Sequence, residues 1–205
     1  VDIIEGHATL AGPQTVVVGD RTLSAEKILL ATGTWPAMPE IPGVDLAINS
    51  NELFDLPRFP ERLLIVGGGY IATEFASTFA GLGATVVQSY RGDLFLRGFD
   101  HDIRGFLAEE MRKAGVDLRF NHDTHSLEAA RDGVVTAHLS DGRLDFDTVL
   151  CATGRRPNIA HLGLEHTAVK LNDSGYLCVN EQFQTDEPSI FALGDMTGGW
   201  ELTPV

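Results

Sequence analysis

The sequence predicts an α/β protein built on a doubly wound parallel sheet, with an antiparallel β-meander. Residues 63–66 form a continuous apolar run, typical of a strand buried on both faces of a sheet. Gly67-Gly68-Gly69 follows this run, and apolar residues then recur at helical spacing. Strand-like stretches at residues 84–90 and 116–120 complete a βαβαβ order, which is that of a Rossmann-type sheet.

The residues before the central strand read as a hairpin, an irregular segment and a short helix. Residues 1–33 alternate like antiparallel strands, with strands at residues 15–18 and 27–31 and a Gly19-Asp20 turn between them. Residues 35–43 are rich in proline, which fixes φ and removes a donor, so we expect irregular structure there. Ser50 is the predicted cap of a helix over residues 52–56.

Beyond the glycine turn, Gly83 is predicted to end the first helix in a left-handed conformation. Asp100 is the predicted cap of a second helix that ends at Gly115. It carries an apolar face that comprises Ile103, Phe106, Leu107, Met111 and Ala114. Residues 133–147 then read as a hairpin that leads into a strand at residues 149–152.

The glycine turn has the spacing of a dinucleotide site, Gly67-x-Gly69-x-x-Ala72. A turn without side chains lets the backbone approach a pyrophosphate, and a small residue lets the helix pack on the strand. The helix N-terminus adds free N–H groups and a positive dipole end. We therefore predict cofactor binding by Gly67, Gly68, Gly69, Ile71 and Ala72.

The residues after the second strand bear on which nucleotide binds. NAD sites usually carry an acid at this strand end, but the first acid here is Asp93. Arg91 and Arg97 could instead give forked, charge-assisted hydrogen bonds to a 2′-phosphate. Most arginines simply face solvent, yet the missing acid and the paired arginines together predict NADP(H) rather than NAD.

Composition excludes several classes of partner. The 205 residues include 15 basic and 29 acidic side chains, for a formal net charge of −14. This charge argues against binding to nucleic acid or to an anionic membrane. No apolar run has membrane-spanning length, and the first residues lack a signal-peptide pattern. Cys151 and Cys178 are predicted to be free, which points weakly to a reducing, cytoplasmic setting.

The triplet His122, Asp123 and His125 could hint at a metal site. It sits in a polar stretch with no further ligand pattern, so a solvated turn and no bound metal is the prediction.

Residues 15–33 and 136–154 resemble each other, since both run strand, polar turn, strand and then Ala-Thr-Gly. A repeated hairpin of this kind predicts two copies of one nucleotide-binding fold. The glycine turn of the first copy would fall upstream of residue 1, so the chain is expected to be an internal part of a longer protein.

Four motifs carry a family resemblance. They are ILLATG (28–33), GGGYIATEFA (67–76), CATGRRPNIAHLGLE (151–165) and IFALGDMTGGWELTPV (190–205). In this order they resemble the flavin-dependent pyridine nucleotide–disulfide oxidoreductases, and within that family the glutathione reductases. The resemblance implies partial FAD-domain segments at residues 1–59 and 178–205, flanking an NAD(P)H domain at residues 60–177.

The resemblance also implies roles for single residues. Tyr70 would cover the nicotinamide, and Glu74 would face the flavin and nicotinamide. Arg91 and Arg97 match the arginine pair of the NADPH-using members. On the flavin side, Asp195, after Gly194, would bond the ribityl chain, and Thr203, after Leu202, would contact the ring. The other implied cofactor-site residues are Thr32, Gly33, Thr153, Gly154 and Arg155.

The implied reaction is NADPH + H⁺ + disulfide → NADP⁺ + two thiols, with glutathione disulfide as substrate and FAD as second cofactor. The redox cysteine pair, the histidine acid–base and the dimerisation domain of the homodimer would all lie outside this chain. No catalytic residue is therefore assigned here, and the chain alone is expected to be inactive. The alternatives are an NAD-using lipoamide dehydrogenase- or mercuric reductase-like enzyme, and a non-catalytic nucleotide-binding module.

Overall fold

The structure, a computed structural model, describes residues 1–199 and 202. The strands are β1 (Ala8–Gly12), β2 (Thr15–Val18), β3 (Arg21–Ser24), β4 (Ile28–Leu30), β5 (Thr34–Pro36), β6 (Arg62–Val66), β7 (Thr85–Tyr90), β8 (Asp117–Phe120), β9 (Thr124–Ala129), β10 (Val135–Leu139), β11 (Gly142–Phe146), β12 (Thr148–Cys151), β13 (Arg155–Pro157) and β14 (Ile190–Ala192). The α-helices are α1 (Ser50–Leu53), α2 (Tyr70–Gly81) and α3 (His101–Lys113). Among the described residues, no helix is both long enough and apolar enough to cross a membrane.

The chain forms two compact units. The central unit is Pro36–Gly154, and the flanking unit joins Val1–Trp35 to Arg155–Val205. The domain boundaries expected near residues 59 and 177 stay a prediction.

A four-stranded parallel sheet, in the order β12-β6-β7-β8, forms the centre of the central unit. Its strands and the helices α2 and α3 alternate along the chain, so the predicted βαβαβ order is confirmed. Leu63, Leu64 and Ile65 of β6 are fully buried, as expected for a strand covered on both faces.

Helix α2 begins and ends where the sequence predicts. Gly83 follows its last turn with φ +100°, and Ala84 N–H donates to Phe79 O at 3.0 Å. This is the hydrogen-bond pattern of a left-handed helix terminus, which glycine adopts without strain. Ala72 and Ala76 are fully buried, so the helix packs closely on the sheet.

Helix α3 has the predicted cap but a different buried face. Asp100 Oδ1 accepts from the N–H groups of Asp102 and Ile103, at 3.0 and 3.1 Å. Of the predicted apolar face, Ile103 and Phe106 are 61% and 65% exposed and Ala114 is exposed too, so this face as a whole does not pack on the core. The buried face carries Ala108 and Met111, with Leu107 partly buried against the same core. Several faces of this helix carry apolar residues, and only packing on the sheet selects one of them.

An antiparallel meander, β9-β10-β11, adds a second sheet to the central unit. The sequence predicted the hairpin of β10 and β11 but not β9. Residue His125 lies on β9 and is exposed. The buried face of the meander packs in one cluster with Leu64, Val87 and Val149 of the parallel sheet.

The flanking unit has its own core. Strands β1-β2-β3 form an antiparallel meander, and β14 pairs with β4 in parallel. The fully or nearly fully buried residues of this core include Leu10, Leu30, Leu177, Ile190 and Met196. The predicted antiparallel pairing of residues 15–18 with residues 27–31 was wrong, because β2 pairs with β3 and β4 pairs in parallel with β14. In both copies a meander leads into a parallel strand, β4 or β12, before Ala-Thr-Gly.

Two local predictions need correction. Trp35 and Pro36, expected to be irregular, belong to strand β5, which pairs with β13. Pro36 is accommodated because it ends a short strand, where a missing donor is tolerated. Helix α1 spans Ser50–Leu53 rather than residues 52–56, and its cap is Asn49 rather than Ser50. Asn49 Oδ1 accepts from Asn51 N at 2.8 Å, and Glu52 Oε2 accepts from Asn49 N at 2.7 Å.

Candidate functional site

The three glycines between β6 and α2 meet different surroundings. Gly67 has φ +144°, and a Cβ built on it would lie 2.2 Å from Ala152 O. A Cβ on Gly68 would lie 2.5 Å from Tyr90 Cδ2. Gly69 has an ordinary φ of −85°, and a Cβ there would meet nothing within 4 Å. The packing of the protein therefore requires the first two glycines, whereas the third borders open space.

The start of α2 can accept an anion at this open space. Gly69 is the N-cap and has no side chain to bond the first helical amides, and the first turn contains no acidic residue. The first intrahelical backbone bond joins Thr73 N–H to Gly69 O at 3.1 Å. Amides of the first turn lack intrahelical acceptors and carry the positive end of the helix dipole. A pyrophosphate fits this arrangement, because a ligand could approach the backbone where a side chain would otherwise stand.

A buried glutamine supports the turn from below, a role that the sequence did not reveal. Gln88 is fully buried on β7, and its Nε2 donates to Gly67 O at 3.1 Å. Gly67 N–H in turn donates to Ser89 O at 2.9 Å. The glycine turn is thus fixed to β7 through backbone and side chain, so its shape does not depend on a ligand.

The segment 91–99, here called the arginine loop, is tied to the same turn. Leu96 N–H donates to Gly68 O at 2.6 Å, and the ring of Tyr90 lies against Gly68. Arg91 follows Tyr90 and Arg97 follows Leu96 in the chain. Each arginine is therefore one residue away from a contact with Gly68.

Both arginines are exposed, and neither forms an ion pair with another described residue. The first acid after β7, Asp93, accepts from Leu94 N–H through its Oδ1 at 2.9 Å. This bond is internal to the arginine loop, so Asp93 acts as a turn residue. The two guanidinium groups are left available for an anion.

The remaining predicted residues of this region lie on α2. Ala72 is fully buried and Ile71 is partly buried, whereas Tyr70 is 45% exposed at the start of the helix. Glu74 is exposed and forms no ion pair with a described residue. Their roles toward a nicotinamide stay a prediction.

His122 is buried, contrary to the expected solvated turn. Its Nδ1 lies 3.0 Å from Ser89 Oγ, and its Nε2 lies 2.9 Å from Asp141 Oδ1. Arg119 NH1 donates to the other oxygen of Asp141 at 2.9 Å. The hydrogen bond from His122 is the main cause that lowers the pKa of the Asp141 carboxyl, and the charge of Arg119 adds to it against a smaller effect of burial. The network joins β7 to the turn between β10 and β11.

In the flanking unit, the predicted cofactor-site residues Arg155 and Asp195 are joined by hydrogen bonds through Thr34. Thr34 Oγ1 accepts from Arg155 Nε at 2.7 Å and donates to Asp195 Oδ2 at 3.2 Å. Arg155 NH2 also donates to Thr34 O at 2.8 Å. Thr34 is 7% exposed and was missed, because a lone threonine after Ala-Thr-Gly carries no signal of its own. Gly194, before Asp195, opens the short 3₁₀ helix Gly194–Thr197 with φ +73°.

The Ala-Thr-Gly turn of the flanking unit is bonded to its own fold. Thr32 Oγ1 donates to Asn158 O at 2.7 Å, and Asn158 N–H donates to Gly33 O at 2.9 Å.

The Ala-Thr-Gly turn of the central unit makes matching bonds. Thr153 Oγ1 donates to Ala37 O at 2.7 Å, and Ala37 N–H donates to Gly154 O at 2.9 Å. The hydroxyl hydrogens of both threonines thus bond protein carbonyls, and any contact with a cofactor would use their oxygen lone pairs.

The structure gives little support for a functional role of the remaining candidate residues. Leu202 is 59% exposed, and Thr203 lies outside the described residues. Both cysteines are free, and burial raises the pKa of the Cys151 thiol to about 12. Within residues 1–199 and 202, no group of three or more His, Cys, Asp or Glu side chains could hold a metal ion.

Comparison with known proteins gives matches along the whole chain. The profile of a family described as pyridine nucleotide-disulphide oxidoreductase matches residues 1–205. The glutathione reductase of Burkholderia cepacia is 46% identical over 206 residues, and that of Nostoc sp. (strain PCC 7120 / SAG 25.82 / UTEX 2576) is 42% identical over 217 residues. These alignments cover 100% of this chain but only 46% and 47% of the relatives. The chain therefore spans about half the length of the curated relatives it matches.

Two further matches are also named disulfide reductases or trypanothione reductases. The trypanothione reductase of Trypanosoma congolense is 41% identical over 187 residues, which is 89% of this chain and 38% of that protein. The HOCl-induced flavoprotein disulfide reductase RclA from Escherichia coli superposes with a TM-score of 0.93 at 33% identity. The superposition covers 99% of this chain and 47% of that chain.

Proposed function

The chain belongs to the pyridine nucleotide-disulphide oxidoreductase family, and from that membership we propose that it is the NADPH-binding portion of an FAD-dependent disulfide reductase. The relatives are named glutathione and trypanothione reductases, so the proposed substrate is a small-molecule disulfide such as glutathione disulfide. The proposed overall reaction is NADPH + H⁺ + disulfide → NADP⁺ + two thiols.

One observation carries the choice of nucleotide. Gly68 of the glycine turn contacts both Tyr90 and Leu96, the residues that precede Arg91 and Arg97. Gly68 therefore links the start of α2, which can bind an anion, to the segments that carry the two guanidinium groups. In NADPH, the adenosine ribose likewise carries both the pyrophosphate, at its 5′ position, and the 2′-phosphate.

The pyrophosphate would bind at the start of α2. The backbone of Gly69 and the amides of the first turn would donate hydrogen bonds to its oxygens. Ala72 allows this helix to sit close to β6, because it is fully buried without a larger side chain.

The 2′-phosphate would bind Arg91 and Arg97. A guanidinium presents a planar fork of donors that matches phosphate oxygens, and charge-assisted bonds of this kind are strong. An NAD-specific acid would stand at the end of β7, whereas Asp93 is three residues beyond Tyr90 and one of its oxygens accepts from the adjacent Leu94 N–H.

On the flavin side, Asp195 would accept a hydrogen bond from a ribityl hydroxyl. Thr34 donates to one oxygen of this carboxylate and is itself held by Arg155, so the carboxylate has a defined orientation. When both are bound, NADPH supplies a hydride and the flavin passes on its two electrons.

The cysteines do not provide the thiol chemistry of this reaction. Cys151 is buried with a pKa raised to about 12, which disfavours the nucleophilic thiolate. Cys178 is free and partly buried, and we propose that neither cysteine belongs to the redox pair of the enzyme. We therefore propose that the 205-residue chain by itself does not reduce disulfides. Homodimerisation and a cytoplasmic location are further proposals for the enzyme.

Calorimetry with NADPH and NADH tests the nucleotide proposal. The double variant Arg91→Met, Arg97→Leu should weaken NADPH binding by at least tenfold, because two charge-assisted contacts are lost, and should leave NADH nearly unchanged. A matched control is Arg131→Met with Arg143→Met, which removes the same charge from exposed positions of the meander.

Equal losses for NADPH and NADH in the Arg91 and Arg97 variant would refute the phosphate-binding role. NADPH consumption by the wild-type chain with FAD and glutathione disulfide would contradict the proposal that it does not turn over alone.

A further inference from the structure

Arg104 of α3 holds the arginine loop by a fork of two hydrogen bonds. Its Nε donates to Phe95 O at 2.7 Å and its NH2 donates to Leu94 O at 2.5 Å. Both acceptors are backbone carbonyls of consecutive residues, and Arg104 is itself partly buried. A planar guanidinium is suited to this geometry, whereas a lysine ammonium is a single point donor without a fixed fork.

The fork acts where the loop changes direction. Leu96, the next residue, has φ +55°, a left-handed conformation that is uncommon for a residue other than glycine. Such a conformation persists only when its surroundings hold it. Arg104 bonds the carbonyls of the two residues before this bend, Leu94 and Phe95. Leu96 itself is held by the bond from its N–H to Gly68 O. The direction in which Arg97 leaves the loop is therefore set between these two anchors.

The base from which Arg104 extends is also fixed. Arg104 N–H donates to Asp100 O at 3.1 Å in the first turn of α3, and Asp100 caps that helix. The other end of the loop is bonded by Asn121 N–H to Gly92 O at 2.8 Å. The loop is thus held to α3, to the glycine turn and to the end of β8.

Two of the three guanidinium nitrogens of Arg104, Nε and NH2, donate to the loop carbonyls, so the side chain is engaged in holding the loop. It acts on the anion through the residues that it positions.

We propose that Arg104 is a positioning residue that sets the preference of this site for a 2′-phosphorylated nucleotide, by holding the loop that carries Arg91 and Arg97. This inference rests on the proposed function, namely NADPH binding at the glycine turn. It adds a residue that does not touch the nucleotide and that the sequence motif does not include.

The test compares two probes that differ only by the 2′-phosphate, adenosine 2′,5′-bisphosphate and 5′-AMP, by calorimetry on the full chain. Arg104→Met should reduce the preference for the bisphosphate about tenfold and leave the affinity for 5′-AMP nearly unchanged. Arg104→Lys keeps the positive charge but loses the fork, and it should also lose most of the preference. Lys113→Met, on the same helix and bonded to Glu110 rather than to the loop, should behave like wild type.

The outcomes separate this inference from the proposed function. If the wild-type chain does not prefer the bisphosphate, NADPH selectivity itself is wrong. If the wild type prefers it and Arg104→Met retains that preference, the positioning role is wrong. Full wild-type preference in Arg104→Lys would show that charge alone matters and would also overturn it. Thermal melting checks that each variant folds. If Arg104→Met does not fold, the result for Arg104→Lys decides the question.

Discussion

Arg62 NH2 lies 2.8 Å from Asp147 Oδ1, and this ion pair joins the first residue of β6 to the residue before β12. The other oxygen of Asp147 accepts from the backbone N–H groups of Glu61 and Arg62, at 3.1 and 2.9 Å. Asp147 N–H in turn donates to Arg62 O at 3.0 Å. One carboxylate thus closes the start of a parallel strand pair whose partners lie far apart in the chain.

The variant Asp147→Asn should lower the free energy of unfolding by about 1–2 kcal/mol, because it weakens several hydrogen bonds to a charged acceptor. Urea denaturation of the chain measures this change. Lys113→Gln breaks the exposed pair with Glu110 and should have no measurable effect. Equal effects of the two substitutions would contradict a structural role for Asp147.

Stability should also fall in acid partly through Asp147. Burial alone would raise the pKa of this carboxyl, but the hydrogen bonds and charge of Arg62 together with the backbone amides outweigh burial and lower it. The stabilisation is therefore present above the ordinary aspartate pKa and is lost as the pH falls through the lowered value. Unfolding free energies measured from about pH 6 to pH 2 should decline less steeply in Asp147→Asn than in wild type.

Replacing a glycine of the turn by alanine should impair folding at Gly67 but mainly NADPH binding at Gly69. Gly67→Ala should destabilise the fold by more than about 3 kcal/mol, because the new Cβ would overlap Ala152 O in a positive-φ conformation. Gly69→Ala should cost less than about 1 kcal/mol, since its Cβ meets no protein atom. It should still weaken NADPH binding about tenfold or more by blocking the approach to the backbone. Unchanged NADPH affinity in Gly69→Ala, measured by calorimetry, would place the pyrophosphate elsewhere.

His122 is expected to control the acidity of Asp141. His122→Phe keeps a ring of similar size but removes both side-chain hydrogen bonds, so it should destabilise the chain by about 1–3 kcal/mol. The pKa of the Asp141 carboxyl, lowered chiefly by His122, should rise toward the ordinary aspartate value. A carboxyl-detected NMR titration measures this, and His125→Phe, at an exposed position of β9, is the control. No rise in His122→Phe would show that Arg119 alone holds the carboxylate.

The two thiols should differ in reactivity. Iodoacetamide at about pH 8 should label Cys178, which is partly exposed, and should leave Cys151 unlabelled until the chain is denatured. The reason is that burial both shields Cys151 and raises its pKa to about 12. Mass spectrometry of digested protein gives the sites, and early labelling of Cys151 would contradict its burial.

Local patterns in the sequence determined most of the secondary structure of the central sheet. An apolar run gave β6, helical spacing gave α2, and Asp100 and Gly83 marked helix ends, because each signal involves residues within a few positions of one another. The short strands β1, β9 and β5 were missed or misjudged, since they have little periodicity and are stabilised by pairing with distant strands. The apolar face of α3 was misassigned for a similar reason, since the sheet on which it packs selects the face.

By itself, the sequence determined the glycine turn, the arginine pair and the family. Only the tertiary structure decided that Gly69 borders open space while Gly67 and Gly68 are packed. It alone brought Ser89 to His122, Thr34 to Asp195 and Arg104 to the arginine loop. The physical reason is that a hydrogen bond between side chains or loops distant in sequence leaves no periodic trace in the chain, and the folded sheet determines which of them meet.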